Sequence, residues 1–198
     1  MPLINLKSVN EAVIHLQRGD LVIYPTETAY ALGADATNAK AIRKIFKIKQ
    51  RSKNKPLPFI VASLSMAERY VYFSKDLKIL AKHHWPGPLT LVAPIKKSQL
   101  SGSLNYQGRT AALRVSSNAL AKKLSQLLGR PIAATSANIS GQGNIYNVSA
   151  IRKKFANATD KIYFLSGGTL PRRKPSTIVA LKNGKLIVLR HGAVSPKP

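Results

Sequence analysis

Residues 21–30 read LVIYPTETAY. LVIY, at 21–24, is a short aliphatic and aromatic run with a proline behind it, which predicts a buried strand. Directly after it two threonines flank Glu27, in a chain of 32 basic and only 7 acidic residues. Buried strand ends are where α/β proteins receive ligands. The stretch therefore predicts an element of the fold and, next to it, a candidate site.

The pattern extends in both directions. SVNEAVIHLQR (8–18) predicts a helix opened by the capping box Ser8-x-x-Glu11, with Val9, Ala12, Val13 and Leu16 at helical spacing and Gly19 as its stop. Downstream, Asn38 caps a helix running to about Lys49, with Ile42, Ile45 and Phe46 on one face. PFIVA (58–62) predicts a strand, Ser65-x-x-Glu68 a second capping box with a short helix, and 75–84 another helix. TLVAP (90–94), AALRV (111–115), PIAAT (131–135) and IYFL (162–165) read as strands. A helix is expected over 118–128, closed by Gly129, and a basic one over 148–156. WPGP (85–88) reads as a rigid turn, and Asn183-Gly184 between STIVAL and LIVLR as a type I′ hairpin. Helices and strands do not alternate strictly, so a mixed α/β fold is expected rather than a simple doubly wound repeat. The length fits one domain over residues 1–198, with 194–198 fraying.

Composition excludes several chemistries. There is no cysteine, hence no disulfide, thiolate metal site or cysteine nucleophile. The seven acids are scattered, which argues against two-metal and paired-carboxylate hydrolysis. His83 and His84 are adjacent, a spacing that cannot share one helix face. No signal peptide and no apolar run of membrane-spanning length is visible, so a cytoplasmic protein with no membrane partner is expected. The net charge of +25 predicts attraction to polyanions, RNA among them.

Four stretches carry candidate chemistry. YPTETAYALG offers two hydroxyls and one carboxylate, or a plain capping turn. Lys40 to Lys55 holds eight cations and no acid. A helix C-terminus favours some of these, but their density points to phosphate. ATSANISG (134–141) sets Ser136, Asn138 and Ser140 just after a strand, as ligand contacts or as a turn. Arg114 interrupts an apolar strand, and a charge there requires an anion, from a protein carboxylate or from a ligand. GSLNYQGRT (102–110) is no phosphate-binding loop: five residues separate its glycines, Arg109 stands for lysine, and a strand follows.

Taken in order, YPTETAYALGADATN, KIKQRSKNKPLP, WPGPLTLV, ALRVSSN, PIAATSANISG and STIVAL…VLRHG resemble the YrdC/TsaC family of threonylcarbamoyl-AMP synthases, over about residues 8–193. The resemblance implies a twisted mixed β-sheet with surrounding helices and a large basic cavity, in the single-domain form. It implies that L-threonine, bicarbonate and ATP, with its Mg²⁺, give L-threonylcarbamoyladenylate and pyrophosphate. Threonylcarbamoyl-transferase complex proteins then modify the adenosine next to the tRNA anticodon. The family's Lys-x-Arg and Ser-x-Asn signatures fall on Lys49, Arg51, Ser136 and Asn138, assigned to the nucleotide and the chemistry. Lys55, Thr110 and Arg190 match further ATP positions, while Thr28, Arg114, Ser136 and Ser176 match positions near threonine. Glu27 has two roles open to it, orienting the loop or helping to hold magnesium. Ala31 and Ser116 depart from the glycine and proline common at those positions, and Ile60 replaces a polar residue of some relatives. The alternative is a double-stranded RNA or ribosome-maturation binding protein without its own chemistry, which would not need Arg114 and Ser176 as an amino-acid pocket.

Overall fold

A computed structural model of the chain describes residues 6–52, 55–96, 100 and 110–196. Its core is a nine-stranded sheet containing β1 (Leu21–Pro25), β2 (Tyr30–Asp35), β3 (Phe59–Ile60), β4 (Leu89–Pro94), β5 (Thr110–Arg114), β6 (Ile132–Ser136), β7 (Ile162–Phe164), β8 (Thr177–Lys182) and β9 (Lys185–Arg190). Their order across the sheet is β7-β1-β2-β6-β3-β5-β4-β8-β9. Pairs β1/β7, β3/β5 and β4/β8 are parallel and the rest antiparallel, so the expected mixed sheet is present.

The helices are α1 (Leu6–Gln17), α2 (Ala39–Lys49), α3 (Leu64–Glu68), α4 (Lys75–His84), α5 (Ala119–Leu128) and α6 (Val148–Lys154). Strand alternation sends successive side chains to opposite faces. Leu21 and Ile23 of β1 join Ile42, Ile45 and Phe46 of α2 on one face. Val22 and Tyr24 pack with Val9, Val13 and Leu16 of α1 and Leu124 and Leu128 of α5 on the other. That second face changes character across the sheet. Under β4, β5 and β8 its buried cluster shrinks to Val92, Ala112 and Ile178.

Several local expectations hold. Asn38 and Asn118 accept backbone N–H bonds at the starts of α2 and α5. Gly129 ends α5 at φ 71°. Asn183 and Gly184 both have positive φ, as a type I′ turn requires. Others do not. α1 begins at Leu6, so Ser8 lies inside it, and Glu11 accepts from the Tyr163 hydroxyl at 2.8 Å instead of completing a capping box. Ser63 rather than Ser65 caps α3, accepting from Met66 N–H at 3.1 Å. Strand β2, YALGAD, was not foreseen. It is buried throughout, yet its alanines and glycine carry little β-propensity. Gly33 is required there by space: a Cβ would stand 2.7 Å from the Tyr24 ring and 2.8 Å from Ile132. At the first residue of the segment expected to fray, the Val194 N–H donates to Thr177 Oγ1 at 3.2 Å. The glycine-rich segment ending at Arg109 lies outside the described residues.

Candidate functional site

The site begins at the turn joining β1 to β2. Thr26 closes it: its hydroxyl donates to Ala29 O at 2.6 Å, and its N–H donates to the same oxygen at 3.1 Å. Glu27 and Thr28 occupy the tip. The strand end suggested a site beside it, and the turn there folds back over the α1/α5 face. Glu27 pairs with Arg114, and Arg114 is level with Ile60 and Ile132, well down the strands from the turn. Ala31, Ile60 and Ala134, all on that face, line the cavity beneath.

This cavity, of about 230 Å³ among the described residues, is lined by Thr28, Arg51, Arg114, Ser136, Ser176 and Arg190, with Thr26, Tyr30, Asn144 and Pro175. Six of the ten sequence-predicted residues thus converge from segments spread over most of the chain. A second cavity of about 370 Å³ shares Thr28 and is lined by Glu27, Pro88, Arg173 and Lys174. Of the named lining residues, five are cations and one is an acid, which makes the walls strongly basic.

The remaining predicted residues sit elsewhere. Lys49 is 1% exposed and lies beneath the wall. Its ammonium donates to Ser136 O at 2.6 Å, Asn138 O at 2.5 Å and Asn138 Oδ1 at 2.9 Å. Burial, helped by neighbouring Arg51, lowers its pKa to about 8. Asn138 is also buried; its Oδ1 accepts from the Ser136 hydroxyl at 2.7 Å, and its amide donates to Gln142 O. Both were expected on the phosphates, but this bonding makes them the frame that shapes the 136–143 loop. Lys55 is exposed and does not line the cavity; its carbonyl accepts from Arg51 Nε at 3.2 Å. Arg51 Nη2 also donates to Pro56 O at 3.1 Å. Thr110 shares a sheet face with Arg114 but begins β5, roughly 13 Å along the strand from it, and is not on the cavity wall.

Arg190 and Ser176 had been expected at opposite ends of the ligand set, yet they touch. The guanidinium donates from Nε and Nη2 to Ser176 O at 3.0 and 2.8 Å, and from Nη2 to the hydroxyl at 2.9 Å. Thr90 Oγ1 lies 2.9 Å from the same hydroxyl. Gly192 permits this arrangement: a Cβ there would fall 2.2 Å from Pro175 O.

The family resemblance offers the threonine carboxylate as the anion that Arg114 requires; within the protein its partner is Glu27. The Ser116 hydroxyl donates to the other Glu27 oxygen. Ser116 was visible only as a departure from a family pattern. Most other acids are also engaged: Asp35 with Arg130 at 2.6 Å, Asp20 with His15 at 2.8 Å, Glu68 with Lys78 at 2.7 Å. Among the described residues no group of three or more His, Asp or Glu side chains could hold a metal ion. Nor is any helix among them long and apolar enough to cross a membrane.

The chain matches the Sua5/YciO/YrdC family model, described as "Telomere recombination", over residues 15–192. It is 35% identical over 183 residues to the threonylcarbamoyl-AMP synthase of Pyrococcus abyssi, covering 90% of this chain and 52% of that protein. It is 32% identical over 183 residues to the threonylcarbamoyl-AMP synthase of Pseudoalteromonas translucida, covering 90% of this chain and 96% of that one. The chain therefore spans about half the length of the first relative and nearly all of the second. The crystal structure of P. abyssi Sua5 complexed with L-threonine aligns at TM-score 0.85 and 34% identity, over 93% of this chain and 54% of that one.

Proposed function

The chain belongs to the Sua5/YciO/YrdC family, and we propose that it makes L-threonylcarbamoyladenylate from L-threonine, bicarbonate or CO₂, and ATP. One observation carries this reading. A single basic cavity is lined both by residues suited to an amino acid (Thr28, Arg114, Ser176) and by residues suited to phosphates (Arg51, Ser136, Arg190).

In this reading the threonine carboxylate meets Arg114, and its amine adds to CO₂ to form a carbamate. A carbamate oxygen attacks the α-phosphorus, the bond to the β-phosphate oxygen breaks, and pyrophosphate leaves. The bicarbonate route releases one water. Such a transfer depends on positioning and on neutralising phosphate charge, which cations and hydroxyls supply without a covalent enzyme nucleophile. The residues present do not fit a protein-held magnesium site, because the one acid on these walls among the described residues, Glu27, is engaged by Arg114 and Ser116. Mg²⁺ enters as part of the MgATP substrate. The adenylate then passes to threonylcarbamoyl-transferase proteins acting on tRNA.

Pyrophosphate release should require threonine and bicarbonate together. In Arg51→Ala it should fall by about 100-fold or more, since a cation at a developing phosphate charge contributes on that scale. Release that ignores threonine would defeat the proposal.

RNA binding is a second reading, favoured by a separate feature. Lys40, Arg43, Lys44 and Lys47 line a groove of about 640 Å³ outside α2, which shares Arg51 with the reaction cavity. Replacing Lys40, Arg43 and Lys47 together by alanine should weaken tRNA binding by at least about tenfold, with a shallower salt dependence. Unchanged affinity in a gel-shift titration would remove α2 from any RNA surface.

A further inference from the structure

Three buried groups beside the cavity have no part in the proposed reaction: the Glu27 carboxylate and the Ser116 and Tyr24 hydroxyls. Glu27 bonds Arg114, Ser116 bonds Glu27, and the Tyr24 hydroxyl is close enough to feel both charges. The Arg114 guanidinium bonds Glu27 through one Nη and makes no other protein hydrogen bond among the described residues, although Arg114 lines the cavity. Glu27 is fixed in turn by Ser116, which is fully buried. The Ser116 hydroxyl also accepts from Asn118 N–H at 3.2 Å, and Asn118 caps α5. A continuous line of contacts thus runs from the start of a packed helix through Ser116 and Glu27 to Arg114. Tyr24, on strand β1, is the third group. Its hydroxyl is buried without a hydrogen-bond partner, and that burial keeps it protonated far above the ordinary phenol range.

We propose that Glu27 and Ser116 are positioning residues of the amino-acid pocket, and that the charge of Glu27 determines which anion Arg114 accepts. The proposal rests on reading Arg114 as the group that binds the threonine carboxylate. A guanidinium is a rigid planar fork, so a carboxylate holding one edge aims the other. Without that hold the long side chain would lose rotamer freedom each time substrate bound. The charge has a separate effect. Arg51 and Arg190 line the same cavity. An uncompensated third cation would attract phosphate oxygens as readily as a carboxylate. The Glu27–Arg114 pair carries little net charge, which favours the single carboxylate of an amino acid and leaves the polyphosphate to the other two arginines. Glu27 is thereby assigned to the pocket, in place of the magnesium role that the sequence left open.

The test is steady-state pyrophosphate release by Glu27→Gln and Ser116→Ala, with threonine and ATP varied separately and inorganic phosphate as the competing anion. Both variants should raise KM for threonine by about tenfold, with KM for ATP within about twofold of the parent. Phosphate should compete with threonine in Glu27→Gln at concentrations that leave the parent chain and Glu27→Asp unaffected. A threonine KM that stays unchanged in the variants, an equal rise in KM for ATP, or indifference of Glu27→Gln to phosphate would overturn the proposal. Ser116→Ala keeps the ion pair, so it remains informative if Glu27→Gln fails to fold. A parent chain without threonine-dependent release would defeat the proposed function and this inference with it. An active parent with indifferent variants would defeat this inference alone.

Discussion

Lys49→Met is expected to lose about 2–3 kcal/mol of stability, because a charge-assisted buried hydrogen bond disappears and leaves an acceptor without a donor. The side chain is nearly isosteric, so packing is kept and the polar loss is isolated. Ser136 O retains the N–H of Asn138 at 2.9 Å, and Asn138 Oδ1 retains the Ser136 hydroxyl. Asn138 O has no other hydrogen-bond donor among the described residues. In a protein of this size the melting temperature should fall by roughly 4–12 °C. Activity should fall further than stability, by about 100-fold in kcat/KM for ATP, since the loop carrying Ser136 loses its frame and small misplacements are costly. Lys49→Arg should not rescue, because a planar guanidinium does not fit a site shaped for three converging acceptors.

The same contact has a pH signature. Below about 8 the amine is protonated and offers three donors to three acceptors. Raising the pH through that value removes a proton and leaves one acceptor unmatched. The parent chain should therefore show an alkaline limb in kcat/KM for ATP with an apparent pKa near 8. The limb should be absent from the residual activity of Lys49→Met. A limb that survives in that variant belongs to another group.

Arg114→Met is expected to cost about 3–5 kcal/mol, the usual consequence of removing one partner from a buried ion pair. The Arg114 and Glu27 side chains are only 10% and 6% exposed, so solvent does little to screen the stranded carboxylate. Affinity for threonine should fall by about 10–100-fold, the range of a lost charge-assisted contact. The two effects are separable. Arg114→Met combined with Glu27→Met removes both charges and should recover most of the stability while threonine binding stays lost. Chemical denaturation gives the first quantity and calorimetric titration with threonine the second. Recovery of threonine binding in the double variant would contradict the assignment of Arg114 to the carboxylate.

The features legible in the sequence are those with local causes. Asn38 and Asn118 announce their helices because a cap acts within three residues of itself. The Asn183-Gly184 turn is equally self-contained. The capping boxes at Ser8 and Ser65 mislead because a serine with a glutamate three residues on fits a helix interior as well as its start. Strand β2 was hidden because its small residues serve close approach: the Tyr24 ring lies over Gly33, and Ala31 lines the cavity. Arg114 announced its need for an anion by interrupting an apolar strand. Its partner lies 87 positions away, and no periodicity links two such residues. The separation of Lys49 and Asn138 from the cavity surface was hidden for a similar reason. A signature motif shows that residues act together, but not which of them touches the ligand and which holds the others.

The most direct measurement is mass spectrometry of the nucleotide products formed from ATP, L-threonine and ¹³C-bicarbonate. The account predicts an adenylate that carries both threonine and the labelled carbon, formed with pyrophosphate and missing when threonine is withheld. A folded, ATP-binding protein that yields no labelled adenylate would contradict it.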